Sequence, residues 1–455
     1  MKPYNNCVAL LCAAFGIAGG IGAAKAQSAG AAIPVVPFSE FVAGLRSTTA
    51  AQMTAQPMGA VKSTPAAEEM RQHLLKLYSG VAVSHSYALG GQIFDCVPIE
   101  QQPGLQAAGL SPTGAKLATP PPLSPAMALN QAAPGVSPGG QRQGLPGVQR
   151  ETIGADAFGN KQGCGAGAIP MRRITLQEMS HFETLQKFFE KGPNGAGQAS
   201  DKRGGNLPPA INGHSYAHEY QYVTNYGGYA VQSMYNPYVY TGYGEIFSLA
   251  QHWYVAGSGA ALQTAEIGLQ NYPAKYGSEN SALFIYWTAD DYKNTGCYNL
   301  DCGAFVQTNS NWHLGAGFNN YSTVGGAQYE LALGFYLYAG NWWMAAGSDW
   351  VGYYPGWRYA GGALSHNAQA IDYGGETVGS YYWPPMGSGQ YASAGWPRAA
   401  YFRSIVYRDA GNGSHAPSLS VSQQWPACYT ATAPTWGGAT WQTYFFFGGL
   451  GGYNC

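Results

Sequence analysis

The chain has 455 residues, of which 46% are hydrophobic and only 10% charged, and its formal net charge is −1. Such a balance gives no electrostatic reason to bind nucleic acid or an anionic membrane. Its 64 glycines and 34 tyrosines favour short strands joined by turns over long helices. The charge is unevenly spread: residues 210–455 carry 12 Asp+Glu against 6 Lys+Arg, and residues 27–209 carry 11 against 14. This pattern favours an acidic domain behind a mildly basic leader.

Residues 1–26 are predicted to be a signal peptide. Lys2 supplies the positive start, "CVALLCAAFGIAGGIGAA" is the apolar stretch, and "AKA" is a small-residue cleavage site before Gln27. A membrane anchor is the alternative, because the apolar run is near spanning length, but it is rich in Gly and Ala. We therefore expect export, to the extracellular space or a periplasm.

Export would remove two of the eight cysteines and leave an even number, which predicts disulfide bonds. The first two of the remaining cysteines lie in the leader and can pair with each other. The pair in "CYNLDC" can close one tight loop, and the last pair would tie the chain end to its domain. The six cysteines are Cys96, Cys164, Cys297, Cys302, Cys428 and Cys455. No zinc-type spacing accompanies them, so we expect no metal and no cofactor.

Residues 27–100 are predicted to form a small α/β prosegment. The stretch "AAEEMRQHLLKLYSG" places Met70, Leu74, Leu75 and Tyr78 on one stripe of a helix that stops at Gly80. Residues 101–160 are rich in Pro, Gly, Ala and Gln without periodicity, which predicts a disordered linker.

Residues 161–205 are interpreted as the end of the prosegment or the lead-in to the next domain, with a strand followed by a helix. Residues 206–455 are interpreted as the catalytic domain, and their texture is β throughout. In "SALFIYWTAD", Leu283, Ile285 and Trp287 alternate with other large residues, and "QYELALGFYLYAGNWWMAAG" breaks at a turn placed at 340–341. Regular turns without a helical period predict an all-β fold, an antiparallel, jelly-roll-like sandwich.

Two glutamates stand out in this charge-poor domain. As a strand, "TAEIGLQNYPAKYG" places Glu266 on one face and Ala265 and Ile267 on the other. Glu376 in "YGGETV" follows two glycines that permit close approach of another backbone. Each carboxylate could face solvent or line a groove, and the residues alone leave both readings open.

The run from Gly163 to Cys455 resembles the neprosin family, secreted glutamic peptidases first known for cutting after proline. The resemblance rests on ordered motifs rather than on one signature, and the activation segment of the family is similar to "GQIFDCVPIEQQPGL" upstream. The motifs are "GCGAGAIPMRRIT", "SYAHEYQYVTNYGGYAVQSMYNPYV", "FSLAQHWYVAG", "TAEIGLQNYPAKYG", "LFIYWTADDYKNTGCYNLDCGAFVQT", "GNWWMAAGSDWVGYYP", "YGGETV" and "MGSGQY". It implies a β-sandwich whose concave face carries a catalytic pair at Glu266 and Glu376. It also implies the disulfides Cys297–Cys302 and Cys428–Cys455.

Such a pair of carboxyl groups cannot ionise cheaply together, so at acid pH one serves as general base and the other as general acid. The resemblance thus implies an acid-active endopeptidase for proline-containing peptides or proteins. We expect the prosegment to act as its intramolecular inhibitor and the Pro-rich linker to be cut by the enzyme itself.

Three further residues are weaker site candidates. Gln307 and Tyr286 could help to hold a tetrahedral oxyanion, although ordinary hydrogen bonding in a sheet is the simpler interpretation. Trp343, beside Trp342, could line a substrate cleft or pack in the core.

Two other functions fit the composition. A glycoside hydrolase also combines a jelly roll with paired carboxylates and many aromatic residues. A non-catalytic carbohydrate-binding module would use the tyrosines and tryptophans as stacking platforms. Neither alternative accounts for the ordered motifs.

Overall fold

The computed structural model describes residues 34–55, 59–106, 117–122, 124–125, 148–150, 163–191, 213–453 and 455. The signal-peptide prediction and most of the linker prediction lie outside these residues. Residues 33–455 form one compact unit, so the leader packs on the β-domain rather than standing apart from it. None of the helices in the described ranges is long and apolar enough to cross a membrane.

The leader, defined here as the described residues from 34 to 191, is a small α/β layer. Its helices and strands are α1 (Phe38–Ser47), α2 (Ala50–Thr54), α3 (Thr64–Leu77), β1 (Ser86–Leu89), β2 (Gln92–Pro98), α4 (Pro103–Gln106), β3 (Val148–Arg150), β4 (Ala168–Arg172), α5 (Leu176–Met179) and α6 (Leu185–Phe189). Strands β1, β2 and β4 form an antiparallel sheet. Met70 and Leu74 of the predicted stripe are buried, and Ser63 caps the start of α3.

Two details of the leader differ from expectation. The helix predicted after β4 is two short helices, because Thr175 and Thr184 each cap a new start by accepting a backbone N–H. The linker predicted to lack structure is partly ordered: β3 pairs in parallel with a strand of the β-domain, and Leu105 is buried. The first residues of β12, 328–330, extend past its pairing with β13, a pairing that begins at Leu333, and they supplied a partner that the linker composition does not reveal.

The β-domain is a two-sheet antiparallel sandwich, which confirms the predicted fold class. Its strands and helices are β5 (His214–Asn225), β6 (Gly227–Ser233), β7 (Glu245–Ala256), β8 (Gln263–Asn271), α7 (Pro273–Tyr276), β9 (Ala282–Thr288), β10 (Cys297–Tyr298), β11 (Val306–Gln307), β12 (Gln328–Tyr338), β13 (Asn341–Ala346), β14 (Asp349–Pro355), β15 (Ala368–Gly379), β16 (Tyr382–Trp383), β17 (Ala400–Arg408), β18 (Ser414–His415), β19 (Ser420–Gln423), β20 (Thr430–Ala431), β21 (Thr435–Trp436), α8 (Gly438–Trp441), β22 (Thr443–Gly448) and β23 (Gly452–Tyr453).

The front sheet has the strand order β10-β9-β8-β7-β15-β5-β19, and the back sheet has the order β11-β14-β13-β12-β6-β17-β22-β20. Strands β18, β21 and β3 flank β17, β22 and β12, while β16 pairs with β23. The turn between β12 and β13 falls on Ala339 and Gly340, one residue before the predicted place, and both have positive φ.

Alternation along each strand divides its residues between two environments. The inner face of the front sheet packs on the back sheet: the Tyr254 ring lies 6.1 Å from Phe335, and Tyr373 lies 6.0 Å from Phe402. Ala265 and Ile267 belong to this inner face, as the sequence predicted, and are fully buried. The intervening residues must therefore point to the outer face, where the leader lies.

Three disulfide bonds join Cys96 to Cys164, Cys297 to Cys302, and Cys428 to Cys455. The first lies within the leader, where it ties β2 to the chain just before β4. The third fixes the chain end to the segment before β20. Disulfides are typical of proteins that fold in an oxidising compartment.

Candidate active site

Glu266 on β8 and Glu376 on β15 lie on the outer face of the front sheet with β7 between them. Along β7, Glu266 is opposite Trp253 and Glu376 is opposite Leu249, so Gln251 lies midway between the two. Both glutamates are fully buried. We refer to Glu266 and Glu376 as the glutamate pair.

Glycines on either side of Gln251 allow the glutamate pair to converge. Gly268 on β8 and Gly374 on β15 are the register partners of Gln251. A Cβ added to Gly268 would lie 2.0 Å from the Ala250 carbonyl oxygen, and one added to Gly374 would lie 2.4 Å from the His218 Cβ. Because no side chain fits at either position, the space above Gln251 is left to the two carboxylates.

The carboxylates share one cation, Lys191 of the leader. Its Nζ lies 2.5 Å from Glu266 Oε2 and 2.8 Å from Glu376 Oε2, and it donates to Gln251 Oε1 at 3.0 Å. Lys191 is only 2% exposed, and its ammonium lies 5.9 Å from the centre of the Trp253 ring. Burial lowers the pKa of Lys191, but the two glutamates outweigh burial and raise it, so the ammonium is held charged.

The remaining partners differ between the two glutamates. Glu266 Oε1 accepts from the Thr264 hydroxyl at 2.7 Å and from the Tyr292 hydroxyl at 2.6 Å. Glu376 accepts from Tyr216 at 3.0 Å and from the Gln251 amide at 3.1 Å, and it pairs with His214 Nδ1. Burial raises the pKa of Glu376, but Lys191 and His214 outweigh burial and lower it to about 2.

The family model for neprosin matches residues 244–450, a range that includes both glutamates. These residues are a neprosin domain. The match confirms the family predicted from the sequence, and with it the prediction that the chain is a peptidase.

The domain also resembles solved structures of glutamic peptidases at a distance. Scytalido-glutamic peptidase with a transition state analog inhibitor is 7% identical, with a TM-score of 0.29 over 51% of this chain and 97% of that chain. SCP-B, a member of the eqolisin family solved with a tripeptide, is 6% identical, with a TM-score of 0.26 over 51% and 96% of the two chains.

Of the three weaker candidates in the neprosin domain, one lies at the glutamate pair. Tyr286 on β9 is the register partner of Glu266, and its hydroxyl is hydrogen-bonded to the backbone of Lys191. Burial, with Glu266 next, raises the pKa of Tyr286 well above its usual value, so the hydroxyl keeps its proton.

The other two candidates lie away from the glutamate pair, because both belong to the back sheet. The Gln307 amide on β11 donates to the carbonyls of Asn309 and Trp312 within its own loop. Trp343 on β13 is fully buried against Tyr353, with ring centres 4.7 Å apart. Sequence motifs marked these residues as belonging to the family, but sheet membership depends on pairings far along the chain.

Sequence reasoning missed Lys191 and Gln251. Gln251 lies in the quoted motif "FSLAQHWYVAG", and its position on the cleft face could have been found by aligning the alternation of β7 with that of β8. Lys191 follows the end of a short helix by two residues and lies outside the matched domain, and nothing in "KFFEKG" marks it.

The leader reaches the glutamate pair as an extended chain. Helix α6 ends at Phe189, and Glu190 is already in an extended conformation, which delivers Lys191 into the cleft. Phe188 anchors this segment: it is fully buried, its carbonyl accepts from Lys275 Nζ at 2.8 Å, and the same ammonium lies 3.2 Å from its ring centre.

A cavity of about 220 Å³ lies beside this segment, between the leader and the β9–β10 loop. Leu185 and Phe189 of the leader line one side, and Tyr286 and Tyr292 of the neprosin domain line the other. The cavity therefore borders Glu266 through the two tyrosines. Its aromatic residues could hold an apolar side chain or a proline ring, and its rim also carries the charged Glu69, Glu190 and Lys293.

Proposed function

We propose that the chain is the precursor of an exported, acid-active glutamic endopeptidase that uses Glu266 and Glu376 as its acid–base pair and cuts after proline. The observation that carries this proposal is the convergence of two fully buried carboxylates on one ammonium group, Lys191, within a neprosin domain. Without a cation, two buried carboxylates cannot both remain ionised, so one is protonated and the other ionised. An acid–base pair requires this combination.

The hydrogen bonds support different roles for the two glutamates. Glu376 has three neutralising or donating partners besides Lys191, namely His214, Tyr216 and Gln251, so it stays ionised when Lys191 leaves and serves as general base. Glu266 receives only two hydroxyl donors and takes up the shared proton, so it serves as general acid.

In the first step, Glu376 takes a proton from water while the water oxygen bonds to the scissile carbonyl carbon. Glu266 donates its proton to the carbonyl oxygen as negative charge develops there. Glu376 passes its proton to the leaving amine nitrogen as the C–N bond breaks, and collapse of the tetrahedral intermediate returns the proton of Glu266. The Gln251 amide lies between the two carboxylates, where it can help to orient water or the oxyanion.

Proline specificity is supported by the aromatic surroundings of the pair. Trp253, Tyr216, Tyr286 and Tyr292 surround the carboxylates, and the cavity beside Glu266 is walled by two of these tyrosines. A proline ring before the scissile bond is rigid and apolar, so aromatic walls can hold it at little entropic cost.

In the precursor, the leader acts as an intramolecular inhibitor through Lys191. The ammonium occupies the position between the carboxylates that water and the scissile carbonyl need, and Phe188 anchors the segment that carries it. The three disulfides and the predicted signal peptide support folding and inhibition outside the cytosol.

Substitution of each glutamate tests the catalytic assignment. Glu266→Gln and Glu376→Gln should each lower cleavage of a proline-containing peptide near pH 3 by at least about 10²-fold, because each removes a proton donor or acceptor. Glu279→Gln is the matched control, since Glu279 is an exposed glutamate of the same domain. Peptide cleavage is followed by mass spectrometry, which also reports the residue before each cut, and circular dichroism checks the fold.

Robust activity in either glutamate variant would exclude the pair as the catalytic machinery. Sugar release without peptide cleavage would favour a glycoside hydrolase, and a lack of both activities would favour a carbohydrate-binding module. Cleavage after residues other than proline would support the peptidase assignment and contradict only the proline specificity.

A further inference from the structure

A cluster of six tyrosines covers the surface at the end of the front sheet where β7 begins and β15 ends. They come from the loop before β7, from the turn after β15 and from β23 at the chain end. Five are about half exposed or more, and the sixth, Tyr382, is half-buried. The tyrosine cluster comprises Tyr238 (56% exposed), Tyr240 (45%), Tyr243 (62%), Tyr381 (58%), Tyr382 and Tyr453 (53%). Contiguous exposed aromatic surface of this kind marks a binding site.

The rings form a continuous series but not a flat platform. Successive ring centres are 6.4, 4.9, 5.6, 5.7 and 4.9 Å apart from Tyr238 to Tyr453, passing through Tyr240, Tyr243, Tyr382 and Tyr381. The corresponding angles between ring planes are 24°, 65°, 39°, 54° and 71°. Inclined rings leave slots between ridges, which accept compact apolar rings, whereas a sugar stacks best on an aromatic face that lies flat.

The surface carries little charge. Residues 234–244, 377–397 and 443–453, which supply the cluster and its surroundings, contain no Asp, Glu, Lys or Arg, but Glu245 borders it and accepts from the Tyr240 backbone N–H at 2.6 Å. One carboxylate gives a highly charged partner too few ion pairs to offset its lost hydration. The phenolic hydroxyls instead offer donors to backbone carbonyls. A polyproline II segment has free carbonyls and pyrrolidine rings on a preformed helix, and aromatic grooves recognise such segments for that reason.

The cluster is adjacent to the cleft and stays exposed while the leader is in place. Next to Tyr382, the Trp383 indole N–H donates to the Gly213 carbonyl at 3.1 Å. The following residue, His214, contacts Glu376 directly. A polypeptide lying on the cluster would therefore be held beside the Glu376 end of the glutamate pair.

We propose that the tyrosine cluster is a docking surface for uncharged, proline-rich, extended polypeptide, and that it retains long substrates beside the cleft. Its role in retaining substrates rests on the proposed peptidase function, but binding at the cluster does not. The full chain can thus be tested for binding while Lys191 still fills the cleft.

Fluorescently labelled decaproline is titrated with the full-length chain at pH 7, and binding is followed by anisotropy. The double variant Tyr243→Ser/Tyr382→Ser should bind about tenfold more weakly, because it removes two central rings of the series. Tyr243→Phe/Tyr382→Phe should retain most of the binding, since the rings remain. Tyr222→Ser is the control, because Tyr222 is 63% exposed and packs on Tyr220 outside the cluster.

A second measurement uses the acid-processed enzyme. The serine double variant should raise KM for a long proline-rich polypeptide by about tenfold, while leaving kcat/KM for a tripeptide or tetrapeptide unchanged. Decaproline that does not bind, or that binds both serine variants equally, would overturn the proposal. So would tyrosine-dependent binding of cellohexaose with no binding of decaproline. Binding as expected in a chain without peptidase activity would refute the proposed function and leave the docking surface standing.

Discussion

Each sheet carries a pair of buried charged residues on its outer face. The front-sheet pair has like charges, and the back-sheet pair has opposite charges. On the front sheet, Glu266 and Glu376 face each other across β7. On the back sheet, Glu330 of β12 and Arg403 of β17 face each other across β6. Arg403 Nε lies 2.5 Å from Glu330 Oε1, and both residues are buried. The back-sheet pair neutralises itself, whereas the front-sheet pair needs a third group, and that group belongs to the leader.

Under the proposed function, this difference separates a permanent ion pair from a temporary one. Glu330 and Arg403 lie within one domain, and the Tyr401 hydroxyl also donates to Glu330 at 2.8 Å, so the cluster persists as long as the domain is folded. Lys191 lies outside the matched neprosin domain, so under the proposed function removal of the leader would leave two like-charged carboxylates without their shared cation. On that proposal, buried charges are structural in the back sheet and reactive in the front sheet.

The largest expected effect is on the permanent pair. Arg403→Met should lower the free energy of unfolding by about 3–5 kcal/mol, because it leaves the Glu330 carboxylate buried without its cation. The double variant Arg403→Met/Glu330→Leu should recover most of that loss, since no charge is left uncompensated. Urea unfolding measures both variants, with exposed Arg398→Met as the control. A loss of unfolding free energy below about 1 kcal/mol in the single variant would show that the Glu330 carboxylate does not depend on its buried cation. The comparison between the two sheets would then fail.

Substitution of the temporary cation should act on the leader instead. Lys191→Met should raise the peptidase activity of the unprocessed chain by roughly tenfold, because weaker leader binding opens the cleft more often. The control Lys187→Met removes a leader charge that pairs with Glu190 of the leader itself. Activity is measured together with the N-terminal sequence of the product. Full activity in the unprocessed wild-type chain would contradict inhibition by the leader.

Acid should release the leader by weakening the contact between Lys191 and the glutamate pair. The pKa of Glu376 is lowered to about 2 in the folded chain, against 4.5 for a free glutamate. The stabilisation from its pairing is therefore complete above about pH 4.5 and is lost as the pH falls towards 2. Lys191→Met should bring release, followed by limited proteolysis, to a higher pH than in the wild type.

The smallest effect concerns a buried acid that belongs to neither cluster. Glu219 on β5 is fully buried, and neither of its carboxylate oxygens has a hydrogen-bond partner within the described ranges. Burial, and next the nearby Asp372, raise the pKa of Glu219 to about 9. The unfolded chain releases this proton near pH 4.5, so its contribution is complete below that pH and is lost as the pH rises towards 9.

Glu219→Gln should therefore stabilise the chain at pH 8 and change little at pH 4, as measured by urea unfolding at the two pH values. Glu279→Gln should leave the pH dependence unchanged. Equal effects of Glu219→Gln at both pH values would show that this buried carboxyl group does not cause a loss of stability as the pH rises.

Local pattern predicted much of this molecule. The alternation in "SALFIYWTAD" and around Glu266 identified the strands and the two faces, and the amphipathic stripe identified α3. Where a second interaction was needed, prediction failed. The segment after β4 became two helices because two threonines cap it. Strand β3 formed because the start of β12 extends past its pairing with β13. Gln307 and Trp343 lie away from the glutamate pair because their strands pair into the back sheet.

The amino-acid sequence by itself determined the β-sandwich class, through strand alternation and regular turns, and its ordered motifs indicated the family and with it the pair of candidate glutamates. Only the tertiary structure decided what surrounds that pair. Gln251 lies between the carboxylates because β7 pairs with β8 and β15 in one register, and Lys191 reaches them from 75 residues before Glu266. Such contacts depend on register and chain path, which are fixed by packing over the whole domain rather than by any local stretch.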